Sequence, residues 1–264
     1  MDTKNKYLKE EFLKLKSEVE PYIKNGGTRD KSHLQNYLYF ACYPLFSFVE
    51  SIVILSENGK FLAAESLLRS LVELHINVIY YQVAESDRRL AISIKKDVEE
   101  KKKGIREIKE LIRKYPNFKS VDPKNLFSDN WLQQAEQCAE ERRQAVLRGN
   151  NLDEKDAEPD IKSKAIKCDQ ADLKGVEKGH FERMYHVMYR QFSPSTHLNI
   201  GGLQGFVNQK ESGEYSFSDG DSREHVLMQQ AIEICVALAK DLYENGVIEA
   251  DLPATINRIE GLIK

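Results

Sequence analysis

Two long helix-periodic apolar stretches, joined by the turn pair Asn58-Gly59, constrain this chain more than any other feature. From Ser32 to Glu57 and from Lys60 to Val83 apolar side chains recur at helical spacing, and strand-like alternation is nearly absent throughout. A short connection makes two such helices antiparallel neighbours, so residues 32–83 read as a core helix hairpin, with a bend expected at Pro44. Tyr37 to Leu55 approaches the length of a membrane-spanning helix. It carries Pro44, Ser47, Glu50 and Ser51 and stands alone, so it reads as the central helix of an all-α domain, with no membrane as partner.

Around this hairpin the remaining segments are also helical. Within residues 1–30, Tyr7, Leu8, Phe12, Leu15, Val19, Tyr22 and Ile23 mark an N-terminal helix that Gly26-Gly27 stops. A long amphipathic helix follows from Asp87 to Tyr115. Its Lys95–Lys114 stretch holds nine basic and five acidic residues, and Glu and Lys at i,i+4 spacing favour an exposed, solvated face over an RNA-tracking stripe. Further helices are predicted from about Asp129 to Arg148, Val176 to Gln191, Ser222 to Asn245 and from Pro253. Val226, Leu227, Ile232, Ile234, Val236, Leu238, Leu242 and Tyr243 mark the buried side of the third of these. Residues 149–175 read as a polar loop with short helical turns, and a short hairpin is predicted between Gly205–Asn208 and Tyr215–Ser218. The sum is a single all-α domain over residues 1–264, a bundle of seven or eight helices.

With 39 basic and 42 acidic residues the net charge is −3, which excludes a uniformly basic nucleic-acid coat and leaves room for a local basic face. The four cysteines show no CxxC spacing, and no His, Asp or Glu stands at a metal-ligand spacing, so no metal is expected. P-loop and GxGxxG motifs are absent, and no cofactor is expected either. The opening MDTKNKYLKEEF lacks the apolar core of a leader, which together with the cysteine usage points to the cytoplasm.

Two constellations can carry chemistry. On the second hairpin helix Glu65, Arg69, Glu73 and Asn77 recur four residues apart, forming one polar row on an otherwise apolar helix. Buried charge needs partners, and a turn at Asn58-Gly59 brings Glu50 level with Arg69. A Glu50–Arg69–Glu73 ion network is therefore expected, either fixing the packing or orienting a site. The other constellation is Tyr185–Gly202, YHVMYRQFSPSTHLNIGG, the candidate active-site motif over residues 185–202. Arg190 is permanently cationic and suited to phosphate oxygens, and His197 can exchange a proton near neutral pH. Tyr189, Gln191 and Ser193 surround them. The alternative for the same residues is structural: Arg190 paired with a carboxylate and His197 capping a helix. His75 and His186, inside helices, read as packed histidines, and Ser193 lacks the GxSxG context of a hydrolase nucleophile.

The Arg-x-x-x-Glu helix at Arg69 and Glu73, followed by Tyr189, Arg190, Ser193 and His197, resembles an uncharacterised, mainly bacterial helical family catalogued as a domain of unknown function. The Arg-x6-His element also resembles the signature of the HEPN superfamily, all-helical proteins of which many are metal-independent endoribonucleases in toxin–antitoxin and phage-defence systems. There the residue after Arg is often Asn, His or Asp; here it is Gln191, and Pro194 lies in the spacer. The resemblance implies a HEPN-like fold and an RNA substrate cleaved to a 2′,3′-cyclic phosphate, with Arg190 and His197 catalytic. It further implies a homodimer whose Arg190–His197 loop lies near the two-fold, and an antitoxin or defence-system partner; the aromatic residues near the motif, Phe181, Tyr185, Tyr189 and Phe192, either pack that second copy or fill the monomer's own core. The alternative is a catalytically silent helical module that regulates a partner protein.

Overall fold

The computed structural model describes residues 3–24, 32–115, 128–171, 173–190, 192, 207–209, 215–217, 224–248 and 252–263. In chain order the elements are α1 (Thr3–Lys24), α2 (His33–Glu57), α3 (Phe61–Val83), α4 (Ser86–Lys114), α5 (Asp129–Gly149), α6 (Ile161–Gln170), α7 (His180–Met184), a π-helical segment (Tyr185–Tyr189), β1 (Val207–Gln209), β2 (Tyr215–Phe217), α8 (Glu224–Glu244) and α9 (Pro253–Ile263). β1 and β2 pair antiparallel with Asn208 opposite Ser216; the rest is helical. The described residues thus hold nine α-helices where seven or eight are predicted. Two compact units are distinguished within the chain, Met1–Val83 with Asp160–Lys264, and Ala84–Pro159.

The first unit is built on the α2–α3 hairpin. Ser32 starts α2 with a reciprocal capping box: its Oγ accepts from the Gln35 amide at 3.2 Å, and Gln35 Oε1 accepts from the Ser32 amide at 3.1 Å. Helix α2 runs through Pro44 to Glu57. Gly59 then adopts φ +69°, and the Lys60 amide donates back to the Leu55 carbonyl at 2.8 Å. That left-handed turn is why an Asn-Gly pair stands between two long helices. By length and composition α2 could cross a membrane, with a mean hydropathy of 1.8. Here its buried residues, among them Leu38, Leu45, Val49 and Ile52, pack in a helical core with α3 and α8. Helix α8 buries Leu227, Ala231, Cys235, Leu238 and Leu242, but Val226 and Tyr243 are each 39% exposed, which moves two predicted core positions to the surface. Helix α1 packs on α9, where Thr255 Oγ1 donates to Glu18 and Arg258 Nε to Glu11.

The second unit is a two-helix hairpin, α4 against α5. One buried apolar cluster joins Ala91, Leu147 and Leu152 with Ile92 and Val146 beside them, and Leu90, Val98 and Leu132 are buried as well. The predicted exposed face of α4 holds for most of its cations and fails at Lys95, which is buried. Its ammonium donates to the carbonyls of Asp153 (3.1 Å), Glu154 (2.6 Å) and Asp156 (2.8 Å). The first half of the predicted 149–175 loop is thereby ordered around a buried cation, and its second half is helix α6, which belongs to the first unit.

Candidate functional site

The polar row of α3 is where the predicted residues meet, though not as the hairpin arithmetic expects. Glu50 lies on the other side of α2, where its carboxylate pairs with Lys16 of α1 at 2.7 Å. The level of two residues along a hairpin fixes their height and leaves the direction of their side chains open; α1 supplies the nearer cation. Arg69 is half-buried and turns to the π-helical segment. Its Nη2 donates to the Tyr189 hydroxyl at 2.8 Å, and its guanidinium carbon lies 4.3 Å from the centre of the Tyr189 ring. Glu73, one turn further along α3, is in reach of the same hydroxyl. The Tyr189 phenol is held above its usual pKa by burial first and then by the Glu73 charge, with Arg69 pulling the other way.

The segment carrying Tyr189 departs from the predicted Val176–Gln191 helix. Gly179 takes φ +79°, and the chain enters α7 only at His180. Asp169, near the end of α6, holds that entry with both oxygens, accepting from the amides of Phe181 (3.0 Å) and Glu182 (2.8 Å). From Tyr185 the helix widens to π geometry, so that the Arg190 amide donates to the Tyr185 carbonyl at 2.9 Å. Tyr185 and Tyr189 stack with ring centres 5.4 Å apart and planes 22° from parallel. Arg190 then leaves the segment exposed, and among the described residues its guanidinium makes no ion pair. Gln191, Ser193 and His197 lie outside the described residues, and so does the predicted approach of Arg190 to His197.

The far end of the polar row has a different partner, which the sequence reading does not include. Lys164 of α6 is buried and donates to Asn77 Oδ1 at 2.6 Å and to the Tyr81 hydroxyl at 3.4 Å, 5.4 and 5.2 Å from the ring centres of Tyr80 and Tyr81. Glu65, at the near end, is also buried. Between these ends lies His75, fully enclosed with its ring edge-on to Phe181 at 5.5 Å and its Nδ1 without a partner. Burial, then the nearby His180, lowers its pKa to about 3, so it is a neutral, packed histidine as predicted. Phe181 is buried in the monomer's own core and has no face left for a second copy.

A cavity of about 630 Å³ lies between α6 and α7, lined by Asp169, Lys178 and Glu182 among others, and none of the predicted site residues that are described lines it. Among the described residues no group of three or more His, Cys, Asp and Glu has the geometry to hold a metal ion. What the arrangement can do chemically is hold a turn. Arg69 and Glu73 clamp Tyr189 from one side, and the residue that follows, Arg190, is exposed. Compared with known proteins, residues 35–215 match a family of unknown function, DUF5677, from the start of α2 to β2. No curated protein and no solved structure matches the chain.

Proposed function

The chain belongs to the DUF5677 family, and from that premise and the clamped turn we propose that it is a HEPN-like, metal-independent RNA endonuclease acting as a toxin or phage-defence effector. The observation that carries the reading is the exposed Arg190 at the end of a π-helical segment whose Tyr189 is fixed by Arg69. A π segment costs hydrogen-bond geometry and is frequent at functional sites. Here it ends at the very residue that the Arg-x6-His spacing makes catalytic. In the reaction, the 2′-hydroxyl oxygen of the RNA attacks the adjacent phosphorus while the bond from phosphorus to the 5′-oxygen breaks. His197 exchanges a proton with the attacking or the leaving oxygen, and Arg190 stabilises the charge gathering on the phosphorane. The products carry a 2′,3′-cyclic phosphate and a free 5′-hydroxyl. Arg69, Glu73 and Tyr189 act as positioning residues, and a second copy facing the first supplies a second Arg–His pair.

The experiment is incubation of the purified chain with mixed RNA in EDTA, with end-group analysis of the products. The reading expects cyclic-phosphate ends from the wild type and none from His197→Ala. Equal cleavage by both removes His197 from the mechanism. The second reading, a catalytically silent module regulating a partner protein, is favoured by Gln191 at the position after Arg and by a net charge of −3, unfavourable for RNA affinity. Stable partner binding unaffected by Arg190→Ala, with no cleavage in either protein, decides for it.

A further inference from the structure

The two sides of the α4–α5 hairpin differ in kind. Along one edge the helices are laced by ion pairs: Lys102 with Glu140, Arg106 and Lys109 with Glu136, and Arg143 with Glu99. The other side opens as a mainly apolar groove of about 460 Å³, with Ile105 and Ile108 from α4, Trp131, Ala135 and Cys138 from α5, and the cations Lys101 and Arg142 also in its lining. Trp131 is 43% exposed, and Ile94 and Leu111 extend the same α4 face at either end, at 39% and 42%. Ile94, Lys101, Ile108 and Leu111 follow heptad spacing, as expected of a helix that packs against another helix.

Gly104 sits in this groove. It is the poorest of ordinary helix formers in the middle of a 29-residue helix. Nothing within the chain asks for it: a Cβ built there meets no atom within 4 Å, and its φ is not in the left-handed region. A residue whose smallness serves no contact of its own chain, on the floor of an apolar groove, permits a close approach from outside.

We propose that this face binds a second copy of the chain, two hairpins closing antiparallel into a four-helix bundle with the two Gly104 residues at the two-fold axis. Two helices leave one side of their interface open, and a second hairpin is what completes a bundle. The area fits. The Ile94–Leu111 span is about 27 Å long at helical rise, and two packed helices are about 20 Å wide. The flat footprint is thus about 500 Å² per copy, about 1,000 Å² in all, the size a specific interface has to reach. Charge fits as well. With Gly104 on the axis, α4 residues whose numbers add to 208 come level, which sets Lys101 of one copy beside Glu107 of the other. No residue of the Arg190 turn takes part; the ribonuclease reading also pairs two copies, and the Gly104→Cys cross-link tells the two contacts apart.

The test is sedimentation of the full chain at micromolar concentration, together with cross-linking of Gly104→Cys in a Cys138→Ser background under mild oxidation. The wild type is expected to sediment as a dimer and the engineered cysteine to give a covalent dimer, as two residues on a two-fold at disulfide distance do. Gly104→Arg is expected to give a monomer with unchanged helical circular dichroism. A monomeric wild type overturns the proposal. A dimer that survives Gly104→Arg and yields no cross-link also overturns it, and places the two-fold elsewhere while leaving the ribonuclease reading intact.

Discussion

The two units stabilise themselves by different means. The first buries long apolar faces of α2, α3 and α8, with Leu38, Ile52, Leu68, Leu71 and Ile232 at or near zero exposure. Of the polar groups it encloses, Lys164 is bonded to Asn77, while Ser56 Oγ and His75 Nδ1 have no hydrogen-bond partner among the described residues. Among the described residues the second unit buries fewer apolar side chains, and it relies on lateral ion pairs and on one buried ammonium, Lys95, that ties down the chain after α5. Apolar burial is insensitive to salt, whereas exposed pairs are screened and individually weak. The first unit is therefore suited to holding a site in register, and the second, with an open groove, to contact with something else.

The largest expected effect breaks the first unit. Leu68→Ala should cost about 2–5 kcal/mol in global stability by chemical denaturation, since the methylene groups leave a cavity among packed helices. Ile105→Ala, half-exposed in the hairpin, should cost well under half as much; equal costs would erase the contrast between the units.

Next in size is Asp241, on α8. Burial, then the neighbouring Glu244, raises its pKa to about 6. At pH 7 the folded protein holds this carboxylate ionised against its preference, so stability falls as pH rises from about 4 to about 6. Asp241→Asn should remove that slope and stabilise the chain at pH 7 by up to about 3 kcal/mol, at roughly 1.4 kcal/mol per pKa unit. A loss of stability at pH 7 would mean that attraction to neighbours such as Lys240 outweighs the desolvation of the carboxylate.

His75 gives the opposite slope. Its folded pKa of about 3 lies below the usual 6.5. The unfolded chain thus binds the extra proton, and stability is lost as pH falls from about 6.5 toward 3. At pH 5 the loss is about 2 kcal/mol. His75→Phe, which can keep the edge contact with Phe181, should flatten this acid limb in denaturant titrations at pH 5 and pH 7; an unchanged limb would assign it to other groups.

The smallest effect sharpens the comparison from the other side. Raising salt should speed amide exchange in α5, at the Glu136 and Glu140 pairs, and leave α2 and α3 unchanged. Uniform acceleration in both units would contradict the division.

The α2–α3 hairpin was legible because its signals are local: apolar spacing from Ser32 to Val83 and the Asn58-Gly59 turn between. The polar row on α3 was legible too, as a helix face with charges in need of partners. Its partners were not. Tyr189 and Lys164 stand far along the chain, and nothing in spacing says which distant side chain turns toward Arg69 or Asn77. Helix α6, IKSKAIKCDQ, escaped notice because its buried side is Lys164, Ala165 and Cys168, with a lysine stem doing what a leucine does elsewhere. The π widening at Tyr185–Tyr189 leaves no mark in composition, since an extra residue per turn looks the same as an ordinary helix in the sequence.

If Arg190, presented by the turn that Arg69 and Glu73 clamp, acts on RNA phosphate, then cleavage depends on its guanidinium. Single-turnover cleavage of RNA in EDTA by the wild type, Tyr189→Phe and Arg190→Ala tests it most directly. The account predicts a loss of about 10²–10³-fold for Arg190→Ala, the scale of removing one group that stabilises developing charge, and a smaller loss for Tyr189→Phe, which keeps the ring under Arg69 and gives up the hydroxyl. An Arg190→Ala protein that cleaves as fast as the wild type would contradict it.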